Sequence, residues 1–300
     1  MRAQGEIKNR IKTVKQTRQI TKAMHMISIA KMKKALTMYE SNLAYYQRVR
    51  AAIKDILTHS PDVTHPFLQE RTSGNAAYLV IAGDKGLAGS YNHDICKLAL
   101  AHMKDKKQPR IMTVGQEARV FFEKQACMVD IEFLHIAQNP TLYNARLVAN
   151  SIINLYNEKA IDEFYIAYTR FHSSTRREPR VVRLLPVEIF DFETTKLEFE
   201  YSMEINYLPS PRRVLDSLIP QFIIGSVFGM LTHSYASEHS ARMLAMESST
   251  KNADEMLEKL QLEYNRARQS AITQELQEIV GGAEALGGFE TKRVITGNLR

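Results

Sequence analysis

Residues 253–271 read Ala-Asp-Glu-Met-Leu-Glu-Lys-Leu-Gln-Leu-Glu-Tyr-Asn-Arg-Ala-Arg-Gln-Ser-Ala. Apolar or small residues recur in this stretch in alternating steps of four and three, at Ala253, Leu257, Leu260, Tyr264, Ala267 and Ala271. That spacing is the a/d pattern of a coiled coil. The stretch lies within a longer run of helical spacing, Pro211 to Leu286, which as one helix would span about 110 Å. A helix of this length requires a second long helix to pack against.

The amino-terminal end of the chain supplies that second helix, predicted from residue 3 to about residue 58. Neither proline nor glycine interrupts Glu6 to Ser60, and Pro61 supplies a stop. Apolar residues fall at spacings of three and four, at Ile7, Ile11 and Val14 and then at Ile20, Met24 and Ile27. The two long helices are most simply paired antiparallel, because a globular segment separates them in the chain.

That globular segment has the pattern of an α/β domain. Residues 78–82 and 110–114 are short apolar runs that end in Gly83 and Gly115, as buried parallel strands do. Further strands are predicted at 130–133, 163–168, 181–186 and 197–201, and helices at 90–103, 117–124 and 141–157. The predicted fold is a long antiparallel coiled coil of the N- and C-terminal helices with a small Rossmann-like, mainly parallel α/β domain between them.

The chain is expected to divide into five parts. These are a helix at 1–60, a linker at 61–75, the α/β domain at 76–208, a second helix at 209–288 and a tail at 289–300. Pro209 and Pro211 suit a helix start, whereas Pro220 predicts a bend or local break near Ile219. Gly287 and Gly288 predict the end of the helix.

Composition bounds the kind of protein. The 300 residues are 44% hydrophobic, enough for a core, and 40 basic against 33 acidic residues give a net charge of +7, which suits an acidic partner. Cys96 and Cys127 have no metal-site spacing and are expected to be reduced.

We found no uninterrupted run of about eighteen apolar residues and therefore expect no membrane span. The basic amino terminus is similar to a mitochondrial presequence, but its helical pattern continues past residue 50 and favours a mature helix.

Catalytic chemistry is hard to find in the sequence. Gly83, Gly86 and Gly89 follow a predicted strand, where nucleotide folds place a phosphate loop, but their G-x-x-G-x-x-G spacing matches neither known fingerprint. A tight turn is the favoured interpretation, and a nucleotide-binding α/β enzyme is the alternative. The sequence has no HExxH or GxSxG motif and no paired cysteines. We therefore predict no catalytic residue, no metal and no cofactor.

Two polar surfaces remain as candidates. Residues 1–34 carry ten basic residues and the single acid Glu6. This face could track nucleic acid, but it lacks interleaved aromatics. A solvated surface or an acidic protein partner remains open. The terminal helix is also rich in hydrogen-bonding side chains, which indicates either an ordinary coiled-coil exterior or a surface that a surrounding protein grips and releases.

The sequence resembles the ATP synthase gamma subunit over nearly its whole length. The matching motifs are IKNRIKTVKQTRQITKAM (7–24), AKMKKA (30–35), DKGLAGSYN (84–92), ASEHSARM (236–243), YNRARQSAITQEL (264–276) and EIVGGA (278–283). Two departures are Lys85, where Arg is commoner, and a chain that continues past the family's usual end near Leu286. The resemblance implies a non-catalytic rotor, the central shaft of an F-type ATP synthase. Its implied partners are a ring of alpha and beta subunits, the epsilon subunit and the membrane ring of c subunits, with no nucleic acid.

The resemblance also implies which residues meet those partners. Lys22 and Met24 would lie near an acidic loop of the beta subunit, and Arg242 in the same coupling region. Arg268 and Gln269 would hydrogen-bond to a beta-subunit catch, with Gln274 and Glu275 close by. Tyr207 would approach the c ring, and Gly86 and Leu87 are weaker candidates in the α/β domain. The expected location is peripheral, on the cytoplasmic face of the bacterial inner membrane.

Overall fold

The computed structural model describes residues 2–60, 62–71, 74–188 and 207–296, and the strand predicted at 197–201 lies outside them. Its elements in chain order are α1 (Arg2–His59), β1 (Ala76–Ile81), α2 (Tyr91–Met103), β2 (Arg110–Val114), α3 (Gln116–Lys124), β3 (Ile131–Phe133), α4 (Leu142–Asn157), β4 (Glu163–Phe171), β5 (Arg177–Leu185) and α5 (Pro211–Thr296). In chain order, one long helix therefore precedes the α/β domain and another follows it, as predicted. The chain forms two compact units: a smaller unit, Met1–Ala23 with Met246–Arg300, and a larger unit, Met24–Ala245.

The sheet lies in the larger unit and has the strand order β3-β2-β1-β4-β5. β1 pairs in parallel with β2 and with β4, and β3 pairs in parallel with β2. Only β5 is antiparallel, to β4. All six residues of the central strand β1 are buried, as its continuous apolar run predicts. The predicted mainly parallel sheet is confirmed.

Helices cover both faces of this sheet. Ala77, Leu79 and Ile81 of β1 point into a core shared with α4, α1 and α5, whereas Tyr78 and Val80 point into a second core with α2 and α3. The alternation follows from the period of two along a strand. Because α1 and α5 both contribute buried side chains to the first core, the sheet fixes the two long helices where they pass it.

Within the larger unit the two long helices run antiparallel. The hydroxyls of Tyr46 and Ser226 lie 2.9 Å apart, and the rings of Tyr39 and His233 have centroids 4.6 Å apart. The α1 number rises as the α5 number falls, which requires opposite directions. Gly225 permits the close approach, because a Cβ there would lie 2.4 Å from the Tyr46 ring.

The smaller unit is a two-helix pair with the predicted coiled-coil seam. The Thr21 and Thr250 hydroxyls lie 2.8 Å apart, and Arg18 Nε lies 2.5 Å from Asp254 Oδ1. In these two pairs, too, the lower residue number in α1 goes with the higher residue number in α5, so the two helices are antiparallel. All six predicted seam positions are buried or half-buried in the structure: Ala253, Leu257, Leu260, Tyr264, Ala267 and Ala271. The predicted antiparallel coiled coil is thereby confirmed.

The apolar face predicted for the middle of α1 is wrong in part. Ile20 and Ile27 are 60% and 54% exposed, whereas Thr21 and Ser28 are 9% and 1% exposed. Heptad steps from Val14 lead to positions 18, 21, 25 and 28, which are all polar, so the packing seam buries Thr21 and Ser28 in place of apolar residues. Ser28 keeps its hydroxyl satisfied by donating to the Met24 carbonyl at 2.7 Å.

The ends and interior of α5 also depart from the predictions. The helix is continuous through Pro220, where a bend or local break was expected, and it runs past Gly287 and Gly288 to Thr296. Glycine weakens a helix by about 1 kcal/mol but keeps its hydrogen bonds, so the predicted stop at Gly287 is wrong. At Pro220 one backbone bond is absent, and the buried neighbours Ile219 and Ile223 pack the helix onto the sheet core.

One 18-residue window of α5 is apolar enough, by length and composition, to cross a membrane, and half of that window is buried within the chain. The uninterrupted-run criterion used on the sequence missed this window. The first half of α5 supplies Leu215, Phe222, Val227 and Leu231 to the sheet core. A helix that supplies so many apolar side chains to a core meets the same criterion of length and composition as a membrane-spanning helix.

Candidate functional site

The loop between β1 and α2, residues 82–90, is a braced turn. The Gly83 amide donates to Asn92 Oδ1 at 2.9 Å, and the Gly83 carbonyl accepts from the Glu117 amide at 3.1 Å. Asp84 Oδ1 accepts from the Gln116 amide at 3.1 Å, which satisfies a free donor at the start of α3. Leu87 has a φ of +61° and is 66% exposed. The loop thus presents an apolar side chain at its tip.

Arg242 of α5 holds this loop from behind. Its Nη2 donates to the carbonyls of Lys85 and Gly86 at 3.0 and 3.1 Å and lies 2.7 Å from Glu238 Oε1. Its Nη1 lies 3.3 Å from His239 Nδ1. Arg242 is 7% exposed, so its guanidinium is committed to contacts inside the chain. Sequence reasoning missed this role, although the i,i+4 spacing of Glu238 and Arg242 indicates a pair on one helix face.

Burial governs the charges of this cluster. Burial raises the pKa of Glu238, and Arg242 opposes that rise by stabilising the carboxylate. Burial and the charge of Arg242 lower the pKa of His239 to about 3, so this imidazole is neutral at pH 7. In this cluster of Glu238, His239 and Arg242, the guanidinium of Arg242 therefore lies against the Glu238 carboxylate and the neutral His239 ring.

This geometry argues against a phosphate loop at Gly83–Gly89. A Cβ at Gly83 would lie 2.8 Å from the Glu238 carboxyl carbon, so an acidic group already occupies the space beside the turn. The Gly83 amide is also used by Asn92. A carboxylate in place of free amides repels a phosphate instead of binding it.

The predicted catch residues lie on the outer face of α5 in the smaller unit. Arg268, Gln269, Gln274 and Glu275 are all exposed, while the neighbouring Ala267 of the seam is half-buried. Gln274 Nε2 donates to Glu278 Oε1 at 3.2 Å, a bond within the helix surface. The Arg268 and Gln269 side chains are accessible, which is what a contact with another protein requires.

The predicted residues of α1 have mixed exposure. Lys22 is exposed and Met24 is half-buried. Sequence reasoning placed Ile20 and Ile27 on the apolar face of α1 and did not single out Met26, yet these side chains are 60%, 54% and 62% exposed. Their position outside the heptad frame of Ile7, Ile11 and Val14 is the signal that could have identified them.

Tyr207, the predicted residue near the start of α5, is tied to α1. Its hydroxyl donates to Asp55 Oδ2 at 2.9 Å, and burial together with this carboxylate raises the pKa of Tyr207 to about 12. The following residue, Leu208, is 85% exposed. Tyr207 therefore anchors the α5 entry while its neighbour faces outward.

Comparisons with known proteins give one result. The family described as ATP synthase matches residues 4–286. The ATP synthase gamma chain of Ruminiclostridium cellulolyticum is 47% identical over 287 residues, covering 94% of this chain and 98% of that protein. The ATP synthase gamma chain of Acetobacterium woodii, described as sodium ion specific, is 38% identical over 295 residues, with the same coverage of 94% and 98%.

The fold agrees with a solved structure. A chain in the Euglena gracilis mitochondrial ATP synthase, resolved with OSCP, F1 and c-ring in rotational state 3, aligns with a TM-score of 0.66. The two chains are 17% identical, and the alignment covers 96% of each. Matching sequence and matching fold extend over nearly the whole chain. The chain thus belongs to the ATP synthase gamma chain family, the non-catalytic central-stalk rotor of the F-type ATP synthase.

Proposed function

We propose that this chain acts inside a ring of alpha and beta subunits, where the exposed polar face of α5 in the smaller unit contacts each catalytic subunit in turn. The observation that carries the proposal is the exposure of Arg268 and Gln269, next to the half-buried seam residue Ala267. Polar side chains held on a rigid helix suit a contact that forms and breaks repeatedly, because water can replace the partner at each release.

The coupling requires no chemistry on this chain. An asymmetric helix pair that presents different side chains to identical partners stabilises a different partner conformation at each angle. The nucleotide affinity of each partner site then depends on the face it meets, and by linkage a change at that site biases the angle of the chain. The family assignment favours this function over the nucleotide-binding enzyme considered above.

The candidate contact residues of α5 and α1 are assigned to two different parts of the beta subunit. We assign Arg268 and Gln269, with Gln274 and Glu275 nearby, to the beta-subunit catch. Lys22 and Met24 are assigned to an acidic loop of the beta subunit, where the basic surface of α1 complements carboxylates. Exposed Ile20 adds apolar area beside Lys22, on the part of α1 that belongs to the smaller unit.

Arg242 is assigned a different role from the one its motif suggested. Because its guanidinium holds the Lys85 and Gly86 carbonyls, it supports the shape of residues 82–90 rather than reaching a partner. Gly86 and Leu87, at the exposed tip of that loop, are the contact residues it positions. Tyr207, which holds the entry of α5 through Asp55, has a similar supporting role for the approach to the c ring.

The five-part division at 1–60, 61–75, 76–208, 209–288 and 289–300 is proposed as the functional layout, except that the helix of the fourth part continues to Thr296, into the predicted tail. The α/β domain is assigned to the epsilon subunit and the c ring, and the paired helices to the alpha–beta ring. The relatives are bacterial, and the proposed location is peripheral, on the cytoplasmic face of the inner membrane.

Reconstitution tests this function. A complex of alpha and beta subunits with this chain should hydrolyse ATP in a manner that depends on the chain, and with the membrane sector it should transport ions. Replacing Arg268 and Gln269 together by Ala should lower turnover severalfold, because two hydrogen-bonding partners of the catch are lost. The matched control is Lys251→Ala with Asn252→Ala, exposed positions of the same helix. Turnover that is indifferent to the presence of the chain would refute the function, and equal turnover of both double variants would refute the catch.

A further inference from the structure

A cavity of about 210 Å³ lies in the larger unit, between α1, α5, the start of α4 and the end of β4. Aromatic and aliphatic side chains form most of its wall, among them Tyr39, Tyr46, Leu142, Ile224 and Phe228. Neither the catch nor the loop of residues 82–90 includes these residues. The cavity is therefore unused by the function proposed above.

Two glycines of α5 line the cavity. A Cβ at Gly225 would lie 2.4 Å from the Tyr46 ring, and a Cβ at Gly229 would lie 3.5 Å from the Tyr39 ring. The two tyrosines of α1 therefore pack against bare helix backbone, while the volume beside them stays open. Tyr39 also contacts the His233 ring, at 4.6 Å between centroids. The result is a slot with aromatic walls, of the kind that accepts a flat apolar group.

The polar groups of the slot favour an anion. Arg146 and Arg170 line it, and neither forms an ion pair with any residue that the structure describes. Among the residues that the structure describes, no aspartate or glutamate lines the cavity. Both arginines are exposed, and a guanidinium group binds a carboxylate through paired hydrogen bonds.

His233 adds a buried polar atom without a partner. Its Nδ1 is buried and makes no hydrogen bond within the described part of the chain. Burial, with the charges of Arg170 and His172, lowers the pKa of His233 to about 4, so the ring is neutral at pH 7. A buried unsatisfied nitrogen costs about 1–3 kcal/mol. A ligand atom that reached Nδ1 would remove that cost.

We propose that this cavity is a binding site for a small planar aromatic carboxylate. The ring of the ligand enters between Tyr39, Tyr46 and Phe228, and the carboxylate lies at the Arg146 and Arg170 side. An occupant would touch α1, α4, β4 and α5 together. It would therefore stabilise the larger unit against unfolding, with the logarithm of its concentration once that exceeds the Kd.

Calorimetry with 2-naphthoate tests the site on the full-length chain, with 2-naphthamide as an uncharged probe of nearly the same shape. We expect saturable 1:1 binding of the acid and at least tenfold weaker binding of the amide. Arg170→Gln should weaken naphthoate binding about tenfold, which is the loss of roughly one charge-assisted hydrogen bond. Arg176→Gln is the matched control, an exposed arginine that does not line the cavity.

A second variant fills the slot. Gly229→Leu places a side chain into the cavity and should abolish binding, and a cooperative thermal transition of the variant will show that it still folds. Absence of saturable naphthoate binding to the wild-type chain would overturn the proposal. So would equal binding by wild type, Arg170→Gln and Gly229→Leu.

The intact ATP synthase complex separates a small ligand from a polypeptide occupant. If the complex binds naphthoate as the free chain does, the cavity is open to small molecules and the proposal stands. If only the free chain binds it, another subunit covers the slot in the complex, and the small-ligand proposal fails.

Discussion

Arg242 and Arg268 lie on the same helix and carry the same charge, yet their surroundings differ completely. Arg242 is 7% exposed and holds two carbonyls and a carboxylate of its own chain, whereas Arg268 is exposed. Sequence motifs gave both arginines the same role, contact with a partner. The comparison shows that one arginine shapes the chain and the other is available to a partner.

The two parts of α5 that carry these arginines differ in the same way. In the larger unit, α5 buries polar as well as apolar side chains, among them Ser226, Ser234, Ser237 and Glu238. In the smaller unit, residues 247–283 are mostly exposed outside the coiled-coil seam. A buried polar residue in the first part depends on the rest of the chain for its hydrogen bonds, while an exposed polar residue in the second part is free to exchange water for a partner.

Removing the buried arginine should have the largest effect on stability. Arg242→Met leaves Glu238 buried without its cation and should lower the free energy of unfolding by about 3–5 kcal/mol, measured by urea denaturation. Glu238→Gln combined with Arg242→Met is the control, and it should recover part of the loss because no lone charge remains. A loss below about 1 kcal/mol in the single variant would mean that the buried pair does not stabilise the loop.

Glycine replacements should have opposite signs in the two parts of the helix. Gly225→Ala forces a methyl group against the Tyr46 ring at 2.4 Å and should destabilise by about 1–3 kcal/mol. Gly281→Ala meets nothing within 4 Å and should stabilise the helix by up to about 1 kcal/mol. Circular dichroism during thermal unfolding measures both, and changes of the same sign would contradict the packing described for Tyr46.

The buried histidine of the Arg242 cluster should make stability depend on pH. The pKa of His239 falls to about 3 in the folded chain, so below about 6.5 the unfolded chain binds a proton that the folded chain does not. Stability should therefore fall as the pH drops from about 6.5 towards 3, by at most about 1.4 kcal/mol per pH unit from this group.

His239→Gln should flatten that profile, whereas His93→Gln, at an exposed position, should leave it unchanged. Urea denaturation at a series of pH values provides the measurement. A His239→Gln profile as steep as that of the wild type would place the responsible group elsewhere.

The smallest stability effect is expected at the catch. Arg268→Ala with Gln269→Ala should change the free energy of unfolding by less than about 0.5 kcal/mol, because both side chains are exposed. The same variant should lower turnover severalfold in the assembled enzyme. A large loss of stability would show that these residues support the helix pair instead of a partner contact.

Periodicity predicted most of the fold. The a/d steps from Ala253 to Ala271 identified the seam, and the apolar run at 78–82 identified the central strand, because both signals arise from burial along one regular element. The polar part of the α1 seam could not be found this way, since Thr21 and Ser28 carry no apolar signal. Ile20 and Ile27 supplied a misleading one.

The candidate site was only partly predictable. Motifs marked Arg242, Arg268 and Gln269, but whether a polar residue on a helix faces the chain or a partner depends on which elements surround it. The loop at residues 82–90 comes from a position about 155 residues away in sequence, and its contact with Arg242 spans 156 and 157 residues. Hydrophobic periodicity and short motifs describe neighbouring residues only, so they cannot predict a contact at that separation.

Rotation of the chain itself is the most direct measurement of the central claim. Met128 is 83% exposed, so Met128→Cys offers an attachment point for a bead on the larger unit, with alpha and beta subunits fixed to a surface. On addition of ATP the bead should turn in one direction in discrete steps, and Arg268→Ala with Gln269→Ala should slow it while Lys251→Ala with Asn252→Ala should not. Continued ATP hydrolysis with a stationary bead would contradict the account.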